Sequence, residues 1–178
     1  VFLTGITKFT QISLFSVLNT LSNISFYNSY ATICGLTKEE ILDNLKDELQ
    51  ALAAQKKWDV GQTMHELKDM YDGYHFSESM QGVYNPYSVI CALKEKRLRP
   101  YWIASGATEM LPKILTNFEK DVETLDGSLI DMDYIETADI SKDNPKLFLY
   151  QSGYLTIKEV MGESYRLGFP NREVKKAL

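Results

Sequence analysis

Helix-start signals recur along this sequence and divide it into short helices. Four residues that favour the N-cap position stand directly before apolar repeats of helical spacing: Thr37, Asp59, Asn85 and Asn144. Glu40 completes a capping box with Thr37, because each side chain can bond the backbone amide of the other residue. Prolines follow the two asparagines in the first helical turn. The spacing predicts a mainly helical chain, with one continuous helix from Thr37 through Leu52.

The last part of the chain has the pattern of a β-hairpin between two helices. The runs "YLTIKEV" and "SYRLGF" favour strands and are separated by the turn-sized gap "MGE". A helix that stops at Gly153 precedes them, and a helix that opens at Pro170 and Asn171 follows them. This order is compatible with a winged-helix module. Upstream, nine acidic residues and two lysines between Glu119 and Asp143 surround "SLIDMDYI", which predicts an exposed edge strand or an irregular stretch.

Composition narrows the class of protein and its compartment. Of the 178 residues 44% are hydrophobic, yet no apolar run approaches the about 20 residues that a membrane-spanning helix needs. Cys34 and Cys91 are far apart and lack metal-ligand spacing, which favours buried thiols in a reducing cytoplasm over a disulfide or a zinc site. The net charge of −5 argues against a uniformly basic face and leaves room for a local basic patch. We expect a cytoplasmic piece of a longer protein, since the sequence has neither an initiator methionine nor a signal peptide.

A compact aromatic loop is predicted where "MYDGYHF" interrupts the helical period. Asp72 and Gly73 break the helix, with Tyr71, Tyr74 and His75 around them. Asp72 lies close in sequence to His75, and a carboxylate can orient an imidazole for proton transfer. No nucleophile or second acid accompanies this pair. The favoured interpretation is a tight loop whose polar groups are satisfied internally.

A basic run ends the helix that begins at Pro86. It consists of Lys94, Lys96, Arg97 and Arg99, and is followed by Trp102. Such cations could contact phosphates while the aromatic ring stacks on a base, which would make the run a nucleic-acid or partner-binding surface. The alternative is an ordinary helix C-terminus, where cations complement the helix dipole.

The first residues have the pattern of a buried strand, Val1–Gly5, that ends at a glycine turn. A hydroxyl at the end of a central strand is the kind of group with which a P-loop ATPase senses the γ-phosphate, and Thr4 and Thr7 are the candidates. Lys8 could add positive charge there. The alternative for each threonine is a turn or cap role. The sequence contains no GxxxxGK[ST] loop that could wrap nucleotide phosphates.

Several stretches resemble, in order, the bacterial predicted AAA-ATPase-like family: "VFLTGITKFTQISLFSVLNTLSNIS", "YDGYHFSE", "GVYNPYSVICAL", "YWIASGATEML" and "LFLYQSGYLTIK…YRLGFPNREV". Members of that family look like P-loop ATPases that commonly carry a PD-(D/E)XK nuclease-like domain after the ATPase region. The resemblance implies that the Walker A and Walker B segments precede the stretch that aligns with Val1. It favours Thr4 as the sensor hydroxyl, with Thr7 and Lys8 as lesser candidates. ATP and Mg²⁺ are then expected as cofactors of the longer protein, with none held by this piece and no metal site in it.

The resemblance also implies an organisation in three parts. Residues 1–21 would be the sensor strand and following helix of an incomplete ATPase core. Residues 22–118 would form a helical lid-like region that includes the aromatic loop, and residues 119–178 an acidic connector with a winged-helix-like element. The expected fold class is mainly α within α+β, comprising a P-loop ATPase remnant strand, a helical lid-like bundle and the C-terminal winged-helix-like element.

Two functions are expected from these features. The first is the C-terminal portion of an ATP-dependent switch that acts on nucleic acid, inactive as this piece because the phosphate-binding loop and the magnesium-binding acid are missing. The second is a non-catalytic interaction module that binds protein or nucleic acid through the aromatic loop and the basic run. The expected partners are the missing N-terminal ATPase half and, through the unpaired opening strand, another copy of the chain; a membrane is not expected.

Overall fold

The chain has an α+β fold, as expected, in a computed structural model that describes residues 22–102, 122–137 and 145–176. The helices are α1 (Lys38–Asn44), α2 (Lys46–Lys56), α3 (Val60–Tyr71), α4 (Pro86–Glu95), α5 (Met132–Thr137), α6 (Pro145–Gln151) and α7 (Arg172–Lys175). The strands are β1 (Leu129–Asp131), β2 (Thr156–Met161) and β3 (Ser164–Gly168). Short 3₁₀ turns lie at Asn28–Tyr30 and Val122–Leu125. The predicted strand Val1–Gly5 lies outside the described residues, as do Thr4, Thr7 and Lys8.

The capping signals are confirmed wherever the structure describes them. The Thr37 hydroxyl accepts the Glu40 amide at 3.1 Å, and the Glu40 carboxylate accepts the Thr37 amide at 2.8 Å. Asp59 caps α3 and Asn85 caps α4, each by accepting an amide three residues on. These caps satisfy amides that the first helical turn leaves without a partner.

The single helix predicted from Thr37 through Leu52 is wrong in one respect, because it breaks at Leu45. That residue has φ −121° and ψ 28°, outside the helical region, and separates α1 from α2. The bend directs Ile41 of α1 and Leu49 and Leu52 of α2 into one core. Burial of these side chains compensates for the interrupted helix.

That core, here called the helical core, is formed by α1 to α4 and the chain that follows them. Its buried members are Ile41, Leu49, Leu52, Met64, Leu67, Met70, Tyr71, Tyr84, Val89, Ala92, Leu93 and Tyr101.

A second core lies under the three-stranded sheet. The sheet is antiparallel in the order β1-β3-β2, with Gly162 at φ 60° in the hairpin turn. The predicted hairpin is therefore confirmed, and β1 is the predicted edge strand. This sheet core contains Leu125, Ile130, Ile135, Leu147, Leu149, Tyr154, Leu155, Ile157, Tyr165, Leu167 and Val174, together with Tyr74 and Val83 from the segment between α3 and α4.

Candidate functional site

The aromatic loop lies where the two cores meet, and residues 71–76 are called the junction loop from here on. Tyr71 belongs to the helical core, and its hydroxyl both donates to the Arg99 carbonyl and accepts the Arg99 amide, each at 3.0 Å. Tyr74 belongs to the sheet core and pairs with Val83 in an isolated antiparallel bridge. One loop thus anchors both cores.

Gly73 is required by a close approach between the junction loop and the segment after β3. Its φ is +96°, a conformation that side-chain-bearing residues rarely adopt. A Cβ at this position would also collide with the carbonyl oxygen of Pro170. The backbone of the loop can therefore touch the backbone near Pro170 only because residue 73 has no side chain.

His75 is fixed by β2 rather than by its own loop. Its amide donates to the Thr156 hydroxyl at 2.8 Å, and that hydroxyl donates back to the His75 carbonyl at 3.2 Å. The ring Nδ1 lies 2.8 Å from the Ile157 carbonyl. A carbonyl only accepts, so Nδ1 carries the hydrogen and Nε2 is an acceptor in the neutral ring. Burial lowers the pKa of His75 and so favours this neutral form, although the bond to Ile157 opposes the shift.

Hydrogen bonds bring three separate sequence stretches together. The Asn85 amide donates to the Tyr71 carbonyl at 2.9 Å, and the buried Tyr74 hydroxyl lies near the side chains of Asn85 and Asn171. These two asparagines are the N-caps of α4 and α7, and the Asn171 side-chain amide also donates to the Asp72 carbonyl at 2.9 Å. The stretches "YDGYHF", "YNPYS" and "FPNREV" therefore form one hydrogen-bonded junction.

A buried carboxylate, Glu173, completes the junction on the other side of α7. Both of its oxygens accept from the Ser88 hydroxyl, at 2.9 and 2.8 Å, and one accepts the Trp102 amide at 2.9 Å. Burial raises the pKa of the Glu173 carboxyl, and these hydrogen bonds oppose that rise. Sequence reasoning missed Glu173, since a charged residue in a short terminal helix is ordinarily exposed.

A groove of about 1490 Å³ opens beside the junction loop, between α3 and the segment 158–175. Its lining includes His65, Lys68, Asp72 and His75 from α3 and the junction loop, and Lys158 and Arg172 from the segment 158–175. Asp72 Oδ1 is buried and has no hydrogen-bond partner among the described residues. Asp72 Oδ1 and His75 Nε2 both face Gly82, where a Cβ would lie 3.3 and 3.2 Å from them.

Lys158 reaches this groove because β2 contains a β-bulge. Ile157 pairs with Leu167 and Glu159 pairs with Arg166, so Lys158 has no opposite residue on β3. A bulge changes the direction of a side chain relative to a regular strand. The ammonium group donates to the Pro170 carbonyl at 3.0 Å, and desolvation there lowers its pKa even though the residue as a whole is exposed. Asp126 and Asp72 oppose this shift.

The basic run divides into two parts. Lys94, Lys96 and Arg97 are exposed at the end of α4. Arg99 forms an ion pair with Glu95 at 2.7 Å. Trp102 is half-buried, with its ring 5.0 Å from that of Tyr154, so it packs inside the protein and does not stand beside the exposed cations.

The described residues contain neither a metal-binding cluster nor a membrane-spanning helix. No group of three or more His, Cys, Asp or Glu side chains within 22–102, 122–137 and 145–176 is arranged to hold a metal ion. Across the same ranges, every helix is too short or too polar to cross a bilayer. The candidate site is the junction loop with its groove, and the titratable groups that line it include Lys68, Asp72, His75 and Lys158.

Comparison with known proteins adds one relative. The chain is 29% identical over 180 residues to an uncharacterized protein in the vnfD 5' region of Azotobacter chroococcum mcd 1. The match covers 99% of this chain and 33% of the relative, so the chain spans about one third of that protein's length. No family model matches the chain, and no solved structure matches it.

Proposed function

We propose that this chain is the downstream part of a longer ATP-dependent switch, and that its junction loop couples two units of that switch. The resemblance to the AAA-ATPase-like family motivates the proposal. The much greater length of the matched relative agrees with a catalytic half that lies elsewhere. The chain has no phosphate-binding loop of the P-loop type, so we assign no hydrolysis step to its residues.

The proposal is based on the long-range hydrogen bonds of the junction loop. Its polar groups contact Thr156, Ile157 and Asn171, which lie more than 80 residues away in sequence. Surfaces between units that move relative to one another are more polar than a permanent core. Hydrogen bonds across such a surface can be exchanged for bonds to water when the two units shift.

In this proposal α6, the β2–β3 hairpin and α7 form the winged-helix-like element, and α1 to α4 form the lid-like bundle. The PD-(D/E)XK nuclease-like domain would belong to the rest of the longer protein. Self-association through the opening strand Val1–Gly5 is a further part of the proposal.

Hydrogen exchange on the full-length protein tests the coupling. Adding a non-hydrolysable ATP analogue should change amide protection at residues 72–76 and 156–171 and leave α2 unchanged. If the analogue binds and the junction exchanges at the same rate, the coupling role is wrong.

ATP turnover by the full-length protein tests the switch itself. Thr4→Ala should weaken nucleotide affinity, because a sensor hydroxyl contacts the γ-phosphate, whereas Thr20→Ala is the matched control and should not. An absence of turnover together with unchanged affinity in Thr4→Ala would contradict the ATPase proposal.

A second candidate function is nucleic-acid binding by the exposed part of the basic run. Lys94, Lys96 and Arg97 have no ion-pair partner within the described part of the chain. Replacing all three by glutamine should weaken DNA binding and reduce its salt dependence, since each phosphate contact releases counterions. An unchanged salt slope would exclude this surface.

A further inference from the structure

We propose that the groove beside the junction loop binds a phosphate-bearing small molecule, held by the ammonium groups of Lys68 and Lys158 and by the Nε2 edge of His75. This site is separate from the nucleotide site expected upstream. It does not depend on the proposed switch.

Two cations of the groove are already paired with carboxylates. Arg172 contacts Glu66 and Asp69, each at 3.1 Å, and Lys175 lies 3.7 Å from Asp126. These cations therefore have carboxylate partners.

Three other lysines of the groove, Lys38, Lys68 and Lys158, have no ion pair among the described residues, and the last two act electrostatically on His75. Lys68 has no ion pair within the described part of the chain, and the Lys158 ammonium donates to the Pro170 carbonyl alone. An ammonium group has three N–H donors, so Lys158 keeps two for a ligand. Lys68 lies on α3 and Lys158 on β2, so the two cations come from different elements that line the groove.

His75 supplies a third contact whose geometry is already set. The bond from Nδ1 to the Ile157 carbonyl fixes the ring, so a proton added at Nε2 would make a second donor. Lys68 and Lys158 disfavour the imidazolium and Asp72 favours it. A bound anion would offset the two lysines, so binding should take up a proton and strengthen as the pH falls.

The same groove disfavours a long polyanion. Glu39, Asp69 and Asp126 line it together with the cations, so the positive charge is not continuous. A nucleic-acid strand needs a basic track along its backbone, whereas one phosphate group needs only two or three donors. The volume of about 1490 Å³ leaves room for a nucleotide-sized molecule.

Calorimetric titration of the 178-residue chain with pyrophosphate at low ionic strength tests the site. Lys158→Met and Lys68→Met should each weaken binding about tenfold, which corresponds to about 1.4 kcal/mol. Lys94→Met is the matched control, because Lys94 and Lys68 are both exposed lysines in the last turn of a helix. Lys158→Arg keeps the charge and should retain most of the affinity. Circular dichroism establishes that each variant is folded.

Further titrations identify the ligand and the role of His75. ADP should bind and adenosine should not, if the phosphate is the recognised group. Sulfate stays fully ionised and should bind more tightly at about pH 6 than at about pH 8, and His75→Gln should abolish that difference. The proposal is overturned if pyrophosphate does not bind, if Lys94→Met weakens binding as much as Lys158→Met, if adenosine binds as well as ADP, or if only an oligonucleotide binds.

Discussion

The junction loop and the basic run look alike in sequence and differ in the structure. Both combine aromatic residues with charged or polar ones over a few positions. In the junction loop the Asp72 carbonyl and the His75 ring are bonded to segments that follow much later in the chain. In the basic run, Lys94 and Arg97 stay exposed. The two stretches therefore differ in their polar side chains: the His75 ring bonds a distant segment, whereas Arg99 pairs only with nearby Glu95 and Lys94 and Arg97 stay exposed.

The largest loss of stability is expected from a methyl group added at Gly73, where the junction loop touches a distant segment. Gly73→Ala should lower the free energy of unfolding by about 4 kcal/mol, because it combines a positive φ with a collision at the Pro170 carbonyl. Gly127→Ala is the control, because Gly127 also has a positive φ, +84°, but nothing lies within 4 Å of the added methyl. This variant should lower the free energy of unfolding by only about 1 kcal/mol. Chemical denaturation measures both. If both variants lose the same free energy of unfolding, the close approach at residue 73 does not contribute to stability.

Glu173→Ala should have the next largest effect, a loss of about 3 kcal/mol in the free energy of unfolding. It leaves the Ser88 hydroxyl and the Trp102 amide without their acceptor at a buried site. Glu159→Ala, which removes an exposed carboxylate from β2, is the control and should change stability little.

The pH dependence of stability gives a second test of Glu173. Folding raises the pKa of the Glu173 carboxyl above its ordinary value of 4.5, so the folded chain holds this proton more tightly than the unfolded chain. The stability that the proton contributes is fully present below about pH 4.5 and is lost as the pH rises through the folded pKa. Glu173→Gln should remove that decline from a denaturation series. A parallel decline in both proteins would mean that Glu173 does not titrate as described.

Tyr71→Phe should lower the free energy of unfolding by a smaller amount, about 1 kcal/mol. The substitution keeps the buried ring and removes the hydroxyl that bonds both backbone groups of Arg99. Tyr30→Phe, at an exposed ring, is the control. If both variants unfold at the same denaturant concentration, the link between the junction loop and Arg99 does not stabilise the fold.

Substitutions in the basic run should have the smallest effect on stability. Replacing Lys94, Lys96 and Arg97 by glutamine should leave the unfolding midpoint unchanged, because these exposed side chains have no partner to lose in the described structure. A clear shift of the midpoint would mean that the run stabilises the fold through its charges.

Local features of the fold could be predicted from the sequence, and distant contacts could not. The caps at Thr37, Asp59 and Asn85 depend on residues within one helical turn, and the hairpin depends on a short turn. The break at Leu45 was missed because an apolar repeat does not reveal a bend that core packing compensates. The position of Lys158 in the groove was missed for a related reason, since a β-bulge leaves no local signal in "YLTIKEV".

The bond between His75 and Thr156 spans 81 positions and has a consequence for the order of folding. Closing so long a loop is entropically costly, so this contact should form late, after the local helices and the hairpin. During synthesis, α3 leaves the ribosome long before Thr156, Pro170 and Asn171 are made. Until then Asp72 and His75 have no lasting partners, and the groove beside them does not exist.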